Sequence, residues 1–298
     1  MIVDPGIRAP VRRIGNREID FSRRLAVMAI VNRTPDSFYD KGATFGLDAA
    51  VASGAAAFEA GADLVDVGGV KFAPGPALPV EDEIERVVPV VRELAAVGPV
   101  SVDTFHPVVA RAAIAAGAAV INDTTGVHDP AMADVVADSD ATLVIAHSLA
   151  EPRTQHPLPH YDDVIGDIAA FLHDRVDLAV AHGVPPERIV IDPGHDLNKN
   201  TRHTLELTRR LGELMTFGLP VLAALSNKDF IGETLDRPRE GRLSGSLAGA
   251  VFCATQGARL FRVHNVPESV DALRLVEAIL GWREPAYTLH NTRPEGNE

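Results

Sequence analysis

Cysteine is nearly missing from the 298 residues of this chain. Cys253 is the only one, and a single thiol can form neither an intramolecular disulfide nor a cysteine-rich zinc site. The residue lies in the apolar stretch 247–253, where a buried cysteine behaves as a small hydrophobic side chain. We therefore expect Cys253 to contribute to packing and not to catalysis.

Positive charge is scarce relative to negative charge. The chain has 28 Lys and Arg residues against 41 Asp and Glu residues, which gives a formal net charge of -13 at pH 7. Proteins that bind the phosphate backbone of nucleic acids draw their affinity from clustered Lys and Arg side chains. The composition therefore predicts no nucleic-acid partner.

Long apolar runs are also lacking. No stretch approaches the roughly 18 uninterrupted apolar residues that a membrane-spanning helix needs. The N-terminal segment MIVDPGIRAP does not contain the apolar core of a signal peptide. We expect a cytoplasmic protein with no membrane partner.

What the sequence does contain is a repeated alternation of two kinds of segment. Eight short runs rich in Val, Ile, Leu and Ala have the nearly continuous apolar pattern of parallel strands that are buried on both faces. These runs are residues 25–32, 63–69, 99–104, 118–124, 141–147, 188–194, 219–226 and 258–265. The Ala- and Leu-rich helical stretches between them include residues 47–61, 83–96, 107–117, 162–183, 201–218, 242–257 and 268–280.

This alternation predicts the architecture. Several helical stretches end in a glycine just before the next run, which is a common helix stop signal. Eight successive strand–helix units predict a closed (β/α)₈ barrel, a fold that commonly uses about 250 residues as one domain. An open doubly wound sheet is the alternative. We assign residues 1–23 to an N-terminal lead-in, 24–284 to the barrel and 285–298 to a polar C-terminal tail.

Polar side chains gather where the predicted strands end. The active sites of (β/α)₈ barrels lie at the carboxyl ends of the strands. Each of these residues alone is typical of a cap or a turn, but their joint position around one rim indicates a cleft. In strand order they are Asn32, Gly68 and Gly69, Asp103, Asn122 and Asp123, His147, Asp192, Ser226 to Lys228, and Arg262 with His264.

The chemistry of this rim indicates the kind of ligand. Arg262 and His264 follow the last strand, in the part of the barrel where many members of this fold bind phosphate. Asp103, Asn122 and Asp192 offer hydrogen-bond acceptors and one amide, which suit the donor-rich edge of a heterocycle. A carboxylate can accept two parallel N–H bonds from an amino-pyrimidinone. The rim therefore indicates an anionic ligand with such a ring.

The motifs that these residues form resemble those of the dihydropteroate synthase family. The first motif is MAIVNRTPDSF at residues 28–38, and the second begins with DVGG at 66–69. Five more follow in the family's order: SVDT at 101–104, IND at 121–123, DPG at 192–194, SNK at 226–228 and RVH at 262–264. The resemblance covers residues 25–283, and the order of the motifs makes it specific.

The resemblance implies an activity and a set of site residues. The family joins p-aminobenzoate to 6-hydroxymethyl-7,8-dihydropterin diphosphate and releases pyrophosphate with the help of Mg²⁺, commonly as a homodimer. The residues that would hold the pterin are Asp103, Asn122, Asp192, Lys228 and Arg262. Those that would hold the diphosphate are Asn32, Arg262 and His264, with Asn32 also near the metal. Lys228, Arg262 and His264 would be catalytic, and Ser226 would lie beside the aminobenzoate.

The chain departs from the family in the loop that follows the second strand. The family reads Glu-Ser-Thr-Arg after the Gly-Gly pair, whereas this chain has Phe72 at the threonine position and Ala73 at the arginine position. Leu197 stands where an aromatic residue is common. Arg33 replaces a small apolar residue, and Asn227 replaces an arginine. Phe72, Ala73, Leu197 and Ser226 make up the predicted second-substrate region.

These departures predict a homologue with a largely intact pterin site and weak or no synthase activity. Losing one charge-assisted contact costs roughly 1.5–3 kcal/mol, and Phe72 could fill the space that a benzene ring needs. The alternative is an active synthase in which Lys71 and Arg33 supply the lost charge. A non-catalytic regulatory pterin binder and a pterin domain that serves a methyltransferase are further alternatives.

Overall fold

The computed structural model describes residues 3–32, 43–69, 78–149 and 158–291. In this part of the chain, eight parallel strands form one sheet, in the order β8-β7-β6-β5-β4-β3-β10-β9. A parallel bridge between Ile191 and Val221 joins β8 to β9 and brings the two edges together. The strands are β3 (Ala26–Asn32), β4 (Leu64–Gly68), β5 (Val100–Asp103), β6 (Val120–Asp123), β7 (Thr142–Ala146), β8 (Ile189–Asp192), β9 (Leu222–Ala223) and β10 (Leu260–Val263).

Helices follow the strands and surround them. They are α1 (Ala43–Glu59), α2 (Val80–Leu94), α3 (Pro107–Ala115), α4 (Ala131–Ala137), α5 (Val164–Ala181), α6 (Thr201–Arg209), α7 (Asp229–Leu235), α8 (Leu243–Thr255) and α9 (Val266–Ile279). The predicted (β/α)₈ barrel is therefore confirmed. In the described ranges, no helix is both long enough and apolar enough to cross a membrane.

The predicted helix at 201–218 is divided in the structure. α6 ends at Arg209, and residues Leu211–Phe217 form a 3₁₀ helix that closes on Gly218. Gly218 has a φ of 63°, which glycine adopts without steric cost. The short helix α7 lies between β9 and α8. The sequence analysis did not predict it, because seven residues are too few to show an apolar periodicity.

An antiparallel hairpin precedes the barrel and packs against the amino ends of its strands. The sequence analysis assigned this segment only as a lead-in. It consists of β1 (Val11–Ile14) and β2 (Arg17–Asp20). Ile14, Ile19 and Phe21 are buried in one cluster with side chains from the barrel strands, which include Met28, Leu64, Val120, Val144, Val190, Leu222 and Leu260. The hairpin thus covers the amino ends of the strands with an apolar surface, and the carboxyl ends carry the polar residues.

This packing predicts a large stability effect for Phe21→Ala. Phe21 is fully buried, and removing a buried phenylalanine ring typically costs about 3–5 kcal/mol of unfolding free energy. The measurement is urea-induced unfolding at pH 7. Val11→Ala is the control, since Val11 lies on the same hairpin and is 50% exposed. A loss below about 1 kcal/mol for Phe21→Ala would show that the hairpin does not stabilise the barrel.

Candidate functional site

The centre of the barrel mouth is a guanidinium held by two carboxylates. Arg262 lies on β10, and its Nε donates to Asp66 Oδ2 over 2.6 Å. Its Nη2 donates to Asp103 Oδ2 over 3.1 Å. The Arg262 side chain reaches past β3 to the ends of β4 and β5, which the strand order places on the far side of β3. The predicted residues Arg262 and Asp103 are therefore in direct contact.

Asp66 is the residue of this centre that the sequence analysis missed. It is fully buried, and besides Arg262 it accepts hydrogen bonds from Ser101 Oγ at 2.6 Å and from Asn122 Nδ2 at 3.3 Å. Because the amide nitrogen of Asn122 faces Asp66, the amide oxygen is left for a ligand. The signal in the sequence was a lone aspartate inside the apolar run of β4, where a charged residue needs a buried partner.

Asn122 Oδ1 has no hydrogen-bond partner among the described residues. The same holds for Asp123 Oδ2 on the same strand. A buried polar atom without a partner costs roughly 1–3 kcal/mol, so such atoms are usually satisfied by a ligand or by ordered water. Successive side chains of a strand point to opposite faces, so of these two residues it is Asn122, beside Asp66, whose oxygen is suited to a ligand N–H group.

The carboxylates at this mouth ionise with difficulty. Burial raises the pKa of Asp103 to about 7, and Arg262 opposes this while Asp66, Glu83 and Asp123 add to it. Burial likewise raises the pKa of Asp123 to about 6, against the hydrogen bonds that it accepts from Thr125. Since a protonated carboxyl has lost one acceptor, the affinity of this site for N–H donors depends on pH near neutrality.

Asp192 and Lys228 form the second part of the mouth. Asp192 ends β8 and is buried, and its Oδ1 accepts the backbone N–H of Gly194 at 2.7 Å. Burial raises the pKa of Asp192, while the charges of Lys228, Lys199 and Arg262 oppose that rise. The ammonium of Lys228 donates to the carbonyl oxygen of His195. These mutual electrostatic effects show that Asp192, Lys228 and Arg262 are neighbours, as the sequence predicted.

Ser226 and His264 form a separate pair at the edge. Ser226 Oγ accepts the backbone N–H of His264 and also contacts its Nδ1, both at 3.2 Å. His264 as a residue is exposed, but its ring sits in a cationic setting. Partial burial of the ring, followed by the charges of Arg262, Arg239 and Lys228, lowers the pKa of His264 to about 4. The imidazole is therefore neutral at pH 7, which the sequence had left open.

For three of the predicted site residues, Asn32, Phe72 and Ala73, the structure does not describe the side chain. Phe72 and Ala73 lie outside the described residues, as do Arg33 and Lys71. Asn32 pairs through its backbone with Gly68 at the end of β3, and its side chain is also outside the description. Leu197, which the sequence analysis assigns to the second-substrate region together with Ser226, is half-buried in the turn after β8.

In the described ranges, no group of three or more His, Cys, Asp or Glu side chains could hold a metal ion. Mg²⁺ commonly keeps several waters and is bound through one or two protein ligands together with substrate phosphates. An amide oxygen such as that of Asn32, together with a diphosphate, belongs to the oxygen ligands that Mg²⁺ uses.

Comparison with known proteins defines the class to which this fold and this site belong. The sequence profile of the family described as "Pterin binding enzyme" matches residues 28–264. The dihydropteroate synthase of Escherichia coli is 40% identical over 261 residues, which cover 87% of this chain and 93% of that protein. The chain belongs to the pterin-binding family of the dihydropteroate synthases.

Two further comparisons narrow the placement. A protein named inactive dihydropteroate synthase 2, from Mycobacterium tuberculosis, is 48% identical over 278 residues, which cover 89% of this chain and 86% of that protein. The crystal structure of dihydropteroate synthase from Xanthomonas albilineans, in complex with indole-2-carboxylic acid and 6-chloroguanine, superimposes with a TM-score of 0.84 at 42% identity. It covers 91% of this chain and 98% of that one. The chain thus resembles both synthases and a homologue that is named inactive.

The raised pKa of Asp103 predicts how pterin affinity depends on pH. If Asp103 accepts ligand N–H groups as a carboxylate, affinity should rise with pH up to about 7, by at most about tenfold per pH unit. Isothermal calorimetry with 6-hydroxymethylpterin between pH 5.5 and 7.5 would measure this. Asp103→Asn should bind more weakly and lose the slope.

His264→Gln serves as the control for that experiment. Because the pKa of His264 is lowered to about 4, its protonation hardly changes over the same range, and the variant should keep the parent's slope. A parent affinity that does not change with pH would contradict a role for ionised Asp103.

Proposed function

We propose that this chain is a dihydropteroate synthase homologue that binds pterin, or pterin diphosphate, and has weak or no synthase activity. The observation that carries this proposal is the buried set of acceptors at the mouth of the barrel, together with the altered loop after β4. An acceptor set of this kind suits an amino-pyrimidinone. The replacement of the family's Thr and Arg by Phe72 and Ala73 changes the predicted binding region of the second substrate.

The pterin would bind between the two halves of the mouth. Asp192 and Asn122 would accept N–H bonds from its amino-pyrimidinone edge, and Asp103 would do so once ionised. Lys228 would donate to a carbonyl or ring nitrogen, and Arg262 would face the ring. Support comes from the Oδ1 of Asn122, which has no partner among the described residues, and from the charge of Lys228, which opposes the rise in the pKa of Asp192.

The diphosphate would lie near Arg262, His264 and Asn32, with Mg²⁺ bound mainly to the phosphate oxygens. Mg²⁺ would neutralise the charge of the departing pyrophosphate, which is what such a metal contributes to phosphate chemistry. The cations of this chain contribute less. Arg262 shares its guanidinium with Asp66 and Asp103, and His264 is neutral at pH 7, because its pKa is lowered to about 4.

The missing cation at position 73 supports weak catalysis. Transition states that develop negative charge on a leaving group are stabilised by cations and donors that are already in place. Ala73 lacks the cation of the family at that position. Asp66, Asp103, Arg262 and His264 belong to motifs that this chain shares with the family, so the argument for weak activity depends on the altered loop and not on the pairing of Arg262.

An active synthase is the second candidate function. Lys71 and Arg33 are the residues that favour it, since they add positive charge close to the altered motifs. A relocated charge rarely reproduces the two parallel hydrogen bonds of an arginine fork. We therefore favour the weakly active form.

Exposed apolar side chains on α8 and α9 suit a homodimer. Leu275 and Ile279, one turn apart on α9, are 62% and 74% exposed, and Phe252 of the neighbouring α8 is 42% exposed. A group of exposed apolar side chains is typical of an interaction surface. We propose that a second copy covers them, which equilibrium sedimentation would test.

The functional proposal predicts the outcome of a loop graft. Replacing Val70→Glu, Lys71→Ser, Phe72→Thr and Ala73→Arg together should create or raise synthase activity by about a hundredfold or more, if ring space and anion stabilisation return together. Steady-state formation of dihydropteroate is the measurement. Ala73→Arg alone should do little while position 72 keeps the larger phenylalanine in place of threonine, because contacts within one site are not additive.

Calorimetry with the pterin diphosphate, with and without Mg²⁺ and aminobenzoate, accompanies the graft as its control. The parent should bind the pterin with no turnover. Parent turnover comparable to that of a normal synthase would show that Lys71 and Arg33 compensate. A parent that binds no pterin would refute the proposed function itself.

A further inference from the structure

The turn that follows β8, residues 193–200, encloses a buried lysine. The ammonium of Lys199 donates to His147 Nδ1, to the carbonyl oxygen of Gly194 and to the carbonyl oxygen of Leu197, each at 2.9 Å. An ammonium has three N–H bonds, so all of them are used within the protein. Lys199 is only 7% exposed. Its position therefore suits a role inside the protein and not a direct contact with ligand.

The turn needs such an internal support because its backbone is unusual. Gly194, Asp196 and Asn198 all have positive φ values, of 69°, 61° and 50°. Asp and Asn adopt the left-handed conformation more readily than other non-glycine residues, and contacts with the surroundings keep them in it. Gly194 has a further constraint, since a Cβ at this position would overlap the carbonyl oxygen of His147.

The same turn carries two groups that serve the candidate site. The carbonyl oxygen of His195 accepts the ammonium of Lys228, a predicted pterin ligand. Leu197 is the predicted second-substrate residue. The two carbonyl oxygens that Lys199 holds belong to Gly194 and Leu197, so the His195 carbonyl lies between two points fixed by Lys199.

The turn also connects to α7, which begins directly after Lys228. Asp196 Oδ2 accepts the backbone N–H of Phe230 in the first turn of α7 at 3.2 Å, and Asp196 Oδ1 accepts Thr204 Oγ1 at 3.0 Å. A displacement of the turn would therefore move the start of α7 as well as the carbonyl partner of Lys228. Both changes would alter the position of Lys228.

We propose that Lys199 is a positioning residue of this site. By holding the 193–200 turn from inside, it sets the places of Lys228 in the pterin pocket and of Leu197 in the second-substrate region. The ligands named here rest on the proposed function. The structural part of the inference, in which Lys199 fixes the turn and Lys228, does not depend on it.

The protonation of Lys199 should make the stability of the turn depend on pH. Burial lowers the pKa of Lys199 to about 7, with Asp192 and Asp196 raising it and Lys228 lowering it. His147 remains a neutral acceptor near neutral pH, since burial and Lys199 lower its pKa to about 2. The other group close to the ammonium is the ring of Tyr161, 6.0 Å away. Deprotonation removes one N–H bond and the positive charge, so the charge-assisted bonds to the carbonyl oxygens of Gly194 and Leu197 should weaken as pH rises through 7, whichever tautomer His147 adopts.

The test compares three variants of the full chain. Lys199→Met removes the three hydrogen bonds, and Lys199→Arg keeps a permanent cation with several donors. Tyr161→Phe is the matched control, because its hydroxyl donates to the same turn from outside, at Asn198 O over 3.0 Å. The readouts are hydrogen exchange of residues 193–200 and of the Phe230 amide, and calorimetric affinity for 6-hydroxymethyl-7,8-dihydropterin diphosphate.

We expect Lys199→Met to exchange faster at the turn and at Phe230, and to bind the pterin roughly ten- to a hundredfold more weakly, the range for losing charged hydrogen bonds. Lys199→Arg should recover part of both, and Tyr161→Phe should stay close to the parent. In the parent, protection of the turn should fall between pH 6 and 8 relative to amides of the barrel strands. In Lys199→Arg that pH dependence should disappear.

The possible outcomes separate the two proposals. Equal effects of Lys199→Met and Tyr161→Phe, or no effect of Lys199→Met on exchange and affinity, would overturn the positioning role. If Lys199→Met does not fold, the pH dependence of exchange in the parent and in Lys199→Arg decides the question, and an unchanged profile in both would overturn it. A parent that binds no pterin refutes the proposed function, while the exchange data still test Lys199.

Discussion

The ion pair between Arg262 and Asp66 is the contact on which the mouth of the barrel depends. Asp66 is fully buried, and a buried carboxylate is strongly unfavourable unless a cation and hydrogen-bond donors compensate for its lost hydration. Arg262, Ser101 and Asn122 provide that compensation. Through Asp66, strands β4, β5, β6 and β10 are tied together, and the amide oxygen of Asn122 has no hydrogen-bond partner among the described residues.

The same arrangement limits the chemistry of the site. It offers many acceptors, which suit the N–H edge of a pterin, but its central guanidinium is already shared with two carboxylates. Recognition of the ring and stabilisation of a departing diphosphate make opposite demands on Arg262. A homologue can retain the first while losing the second, and the substitutions at 72 and 73 act in that direction.

The two ends of the barrel differ in function: one contributes stability and the other carries the candidate site. At the amino ends of the strands, the hairpin at 11–20 covers an apolar cluster and contributes to stability. At the carboxyl ends, several buried polar atoms have no partner within the part of the chain that the structure describes, and several turns have left-handed backbone conformations. The stability supplied by the first end allows the second to keep groups that a ligand would satisfy, as is common at functional sites.

The sequence by itself determined the order of the elements and the polar residues at the strand ends, because burial on both faces imposes apolar runs and the carboxyl ends collect the polar side chains. It predicted Asp103, Asn122, Asp192, Lys228 and Arg262 as pterin ligands, and it showed the phenylalanine and alanine of the altered loop. Only the tertiary structure showed that Asp66 organises the mouth, that Lys199 supports the turn after β8, and that the hairpin covers the amino ends of the strands. These roles arise from contacts such as that between Arg262 and Asp66, which lie 196 positions apart. Local periodicity cannot reveal such contacts, since only closure of the barrel brings the residues together.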